Sequence, residues 1–70
     1  MNANIKMLFF LIKNNKVLVC ESNLTEFVEL LPDDIRELRS YDYFYREFQK
    51  SKCFQFKYNK EYTFQKIVYK

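Results

Sequence analysis

"RSYDYFYREFQKSK", residues 39–52, carries five aromatic rings and four cations. Whether those rings form one side of a helix or an exposed surface decides how the rest of the chain can be layered. Each residue of an α-helix advances about 100° around its axis. Residues 35–50 read as one helix, with Ser40 as the candidate break, place Leu38, Tyr41, Phe44, Tyr45 and Phe48 on one face. Arg36, Arg39, Tyr43, Arg46 and Lys50 fall on nearly the opposite face. Four of the five rings therefore read as a core stripe, and Tyr43 alone stands among the cations.

Working outward, Pro32 followed by Asp33 and Asp34 is a helix-start signal, since proline suits a first turn and acids complement its dipole. Asn23 with Glu26 fits a capping box, and Leu24, Phe27, Val28 and Leu31 follow at helical spacing. Further out on both sides the period changes. Residues 5–13 and 17–21 read as two strands around Asn14-Asn15, asparagine being the best substitute for glycine in a tight turn. "CFQFKY" alternates, Asn59-Lys60 marks a turn, and "YTFQKIVY" is rich in strand formers. The order is ββααββ: a single α+β domain over residues 1–70, four antiparallel strands with the helices on one face.

Composition excludes several chemistries. The chain has no His and no Gly, where about five glycines are average for 70 residues. A phosphate-cradling loop of Walker or Rossmann type needs glycine's backbone freedom. A Ser-His or Cys-His pair and an H-E-x-x-H metal site need the imidazole. Nothing pairs a nucleophile with a base, so a non-catalytic protein without metal or cofactor is expected. Cys20 and Cys53 lack metal or redox spacing and read as reduced, buried thiols, with one disulfide between them left open. The apolar run "MLFFLI" falls far short of the roughly 20 residues that span a bilayer, and no signal-peptide pattern follows it. A cytoplasmic protein with no membrane contact is expected. Asn, Lys, Ile, Phe and Tyr, all with AT-rich codons, make up 33 of the 70 residues, a bias that suggests a phage-like origin.

A domain this small seldom gains more than about 3–5 kcal/mol from its core alone, so association is a natural supplement. The first strand points to where. Leu8, Phe10 and Ile12 alternate with the side chains directed at the core, yet one helical layer covers one sheet face only. These three, with Val17 and Val19 as neighbours, are expected to form an apolar patch for a protein partner or a second copy. Arg39, Tyr43 and Arg46 are the expected polar anchors, because Arg and Tyr are enriched at binding hot spots. A host-factor inhibitor would fit this description.

The alternative is DNA or RNA binding through Arg36, Arg39, Tyr43, Arg46, Lys50, Lys52, Lys57 and Lys60. A helix followed by a basic hairpin resembles a winged helix-turn-helix, with residues 41–50 entering the groove and residues 53–69 as the wing. The resemblance covers half the chain and implies DNA binding. Charge distribution weakens it. Residues 1–20 hold three lysines and no acid, 21–47 three arginines against eight acids, and 48–70 six lysines and one acid, for a net +3. Such a chain is dipolar rather than strongly cationic.

Overall fold

The computed structural model describes residues 7–69. Seven elements follow in order: β1 (Met7–Lys13), β2 (Lys16–Glu21), α1 (Leu24–Glu29), α2 (Asp33–Arg36), α3 (Tyr41–Lys50), β3 (Cys53–Phe56) and β4 (Asn59–Val68). The strands form one antiparallel sheet in the order β2-β1-β4-β3. The α+β architecture expected from the sequence is the one observed. The expected first two residues of the opening strand, Ile5 and Lys6, lie outside the described residues.

Local chemistry accounts for the boundaries. Asn14 and Asn15 take φ of 54° and 63°, the paired left-handed conformation whose twist suits a two-residue hairpin. The Asn23 side chain accepts hydrogen bonds from the backbone of Thr25 (2.8 Å) and Glu26 (3.2 Å), capping α1. Pro32 caps α2 rather than opening it, and Asp33 and Asp34 occupy the first turn.

The core is aromatic. Six phenylalanines, at 9, 27, 44, 48, 56 and 64, are buried with Leu11, Leu31, Ile35 and Tyr62. Most of their rings meet edge-on or tilted, as Phe9 does with Phe48 at 5.0 Å and Phe44 with Phe64 at 5.1 Å, while Phe44 stacks on Phe56 at 6.3 Å. Burying one such side chain is worth about 1.5–3 kcal/mol, which lets a short chain fold around few residues. No polar or charged side chain is buried among the described residues.

The long helix does not form. Helix α2 is a single turn, and residues 37–39 intervene before Ser40, in an extended conformation, caps α3. That break resets the helical phase, so the face drawn from Leu38 does not carry into α3. Leu38, Tyr41 and Tyr45 are exposed, contrary to expectation. Phe44 and Phe48 alone of the five point into the core. Tyr43, expected among the solvated cations, packs edge-on against Phe44 at 5.0 Å and against Phe56 at 6.1 Å. Tyr41 and Tyr45 stack on each other at 6.0 Å along the outer flank.

Two further expectations change. Cys20 and Cys53 are exposed, not buried. They sit on the two edge strands of one row, three strand spacings or about 14 Å apart, twice the roughly 7 Å limit for a disulfide. A disulfide within one chain is therefore excluded by the sheet. Nor does the 53–69 hairpin project as a wing. Strand β4 pairs with both β1 and β3, so the hairpin is half of the sheet.

Candidate functional site: an uncharged sheet face and a basic depression

The three helices contribute their buried residues to one side of the sheet, and among the described residues no element covers the other. Register determines what the open side displays, because residues directly opposite share a face. One row runs Cys20, Phe10, Gln65, Cys53 across the four strands. A second runs Val17, Ile12, Thr63, Gln55, and Leu8 lies beside Ile67. None of these ten side chains is charged, in a chain that is 30% charged. At that overall fraction about three charges would fall there by chance.

Leu8, Phe10 and Ile12 do come together on this face, half-buried between neighbouring strands. Val17 joins them and is 56% exposed. Val19 does not: it lies opposite Leu11 and packs against the core. The cause is a bulge. Leu11 faces Val19 while Ile12 faces Val17, leaving Leu18 as the extra residue and switching the face of whatever precedes it. Strict alternation cannot foresee that switch.

The expected polar anchors lie on the helical side instead. Arg39, Tyr43 and Arg46 line a depression of about 590 Å³ between the α2–α3 junction and the β3–β4 turn, together with Arg36 and Lys57. The guanidinium of Arg39 rests over the Tyr58 ring at 4.7 Å and the Tyr43 ring at 5.7 Å, and donates from Nη1 to the Leu38 carbonyl at 2.8 Å. Lys57 approaches the Tyr58 ring at 5.8 Å. Burial raises the pKa of Tyr43, and Glu47 adds to the rise, while a backbone hydrogen bond at Lys57 and the charge of Arg39 oppose it.

The ion pairs among the described residues are Lys13–Glu61 at 3.5 Å and Lys50–Glu47 at 3.3 Å. The cations of the depression take part in neither. Of the eight residues expected to bind nucleic acid, Arg36, Arg39, Tyr43, Arg46 and Lys57 line it, and Lys50, Lys52 and Lys60 do not. The break before Ser40 brings Arg36 and Arg39 to Lys57 across the fold, and local spacing gave no sign of that. Tyr58, the ring that supports Arg39, sits in the turn itself, which falls at Lys57-Tyr58 and not at the expected Asn59-Lys60. It is 43% exposed.

Among the described residues, no group of three His, Cys, Asp or Glu side chains is placed to hold a metal ion, and no helix is long and apolar enough to cross a membrane. Searches against protein-family models, curated proteins and solved structures return no match for this chain.

Proposed function

We propose that this is a binding protein without catalytic activity, which associates through the open sheet face, and that the occupant of that face is a second copy of the chain. The carrying observation is the charge-free array centred on Leu8, Phe10 and Ile12. Two such faces can meet without stranding a charge, although each molecule carries net +3. Stacked sheets would give a four-layered dimer with helices outermost, both apolar sides of each sheet then being covered.

Scale sets the strength. Four strands about 4.8 Å apart and about six residues long give a footprint of roughly 400 Å². That is below the about 800 Å² per partner of a standard interface. Leu18, Val68 and Tyr69 are exposed and can extend the rim. A micromolar, concentration-dependent dimer is expected.

Solution mass measured over a range of concentrations tests this reading. The wild type should pass from monomer to dimer, and Phe10→Glu should stay monomeric with unchanged circular dichroism. Gln65→Glu, nearly isosteric at the centre of the face, should weaken the dimer at least tenfold, since a desolvated carboxylate has no partner there. A bulky maleimide on Cys20 and Cys53 should disperse it as well. A wild type that stays monomeric at millimolar concentration, or variants that keep the dimer mass, would refute the proposal. A monomer whose Phe10 face captures another protein would instead favour the inhibitor reading.

The alternative, nucleic-acid binding, draws support from the cations around Arg39, which form no ion pair among the described residues. The hairpin rings give it less. Phe54, Phe56 and Phe64 pack together at the core, leaving no row of free rings on which bases could stack.

A further inference from the structure

We infer that the depression between α2, α3 and the β3–β4 turn is a binding site for a compact phosphate group, either a phosphate monoester or a diphosphate. Three guanidiniums and one ammonium, from Arg36, Arg39, Arg46 and Lys57, surround it against the single carboxylate of Glu37. None of the four is ion-paired among the described residues. Like charges in excess of their counter-charge repel, and a bound polyanion removes that cost.

Two of the guanidiniums are already held in place. Tyr43 and Tyr58 hold the Arg39 guanidinium between them, and the Asp42 carbonyl accepts from Arg46 Nε at 3.4 Å. Ser40 also lines the depression, and its hydroxyl makes no capping bond to α3. That leaves a neutral donor at the start of a ten-residue helix, whose first N–H groups favour an anion. Guanidinium forks match phosphate oxygens in pairs, and several forks exceed what one carboxylate can occupy.

The rings select against bases. Arg39 and Lys57 lie over the Tyr58 ring, and Tyr43 is wedged against Phe44 and Phe56. These rings support cations and are not free to stack. The site therefore senses concentrated negative charge and not base identity. Its lining shares no residue with the open sheet face, so the two sites are separable by substitution.

Calorimetric titration of the full chain with inorganic pyrophosphate at low salt tests the inference. Saturable binding should appear, weaken steeply with added salt, and fall at least tenfold in Arg39→Gln and in Arg46→Gln. Lys52→Gln, outside the depression, should bind as the wild type does, and so should Phe10→Glu. Thermal melting confirms that each variant is folded. Absence of saturable binding at low millimolar pyrophosphate, or equal losses in Lys52→Gln and Arg39→Gln, would overturn the site. Short single strands with and without a 5′-phosphate identify the source. Preference for the phosphorylated end points to a nucleic-acid terminus, and pyrophosphate binding without that preference to a free phosphate ligand. Tight binding of both strands that ignores Arg39 would overturn the inference.

Discussion

The hydroxyl of Tyr62 donates to Asp34 Oδ2 at 2.9 Å, tying the middle of the sheet to the first turn of α2. Burial raises the Tyr62 pKa, and the hydrogen bond to Asp34 and the charges of Asp34 and Glu61 push it the same way. The folded chain therefore keeps a proton that the unfolded chain gives up near pH 10. Stabilisation from this group is fully present below about pH 10 and is lost as pH climbs through the raised folded value. Tyr43 shifts in the same direction. Urea midpoints measured across the alkaline range should fall above about pH 10, and Tyr62→Phe should flatten part of that fall. At neutral pH the same substitution should cost about 1 kcal/mol, the net worth of one hydrogen bond. Neither effect is readable from "KEYTFQ", because the partner lies twenty-eight residues away.

At the scale of elements, two helix starts offer a contrast. Asn23 satisfies two orphan N–H groups of α1, whereas the Ser40 side chain satisfies none in α3. Asn23→Ala should lower stability by about 1 kcal/mol. Ser40→Ala should leave it nearly unchanged while weakening pyrophosphate binding, a difference that urea denaturation beside calorimetry resolves. The α1 cap and the Asn14-Asn15 turn were legible in the sequence because each rests on neighbouring residues. The phase of α3 was not legible, since it depends on where the chain leaves α2. The side-chain directions of Tyr41, Tyr43 and Tyr45 follow from that. The bulge at Leu18 has the same character: nothing in "KVLVCE" separates the faces of Val17 and Val19 until Leu11 and Ile12 lie opposite.

For the molecule as a whole, stability rests on few contacts of large area. Phe44 is fully buried and touches Phe56 and Phe64, so it joins α3 to the second hairpin. Phe44→Ala should cost about 3–5 kcal/mol. That approaches all the stability a domain of this size has, and calorimetry should show no cooperative transition at low concentration. The two proposed sites belong to this scale too. A sheet covered once leaves its other face to be covered by association, and the α2–α3 break leaves four cations facing one hollow.

The sequence by itself determined the order of elements, the two-sided apolar character of the first strand, and the absence of imidazole and glycine chemistry. Each of these depends on residue type and short-range period. Only the tertiary structure decided which tyrosines are buried, that the two thiols stand on opposite edges of one open face, and that Arg36, Arg39, Arg46 and Lys57 converge. Those relations join residues distant in the chain, and their geometry follows from strand register and one helical break, which no local pattern encodes.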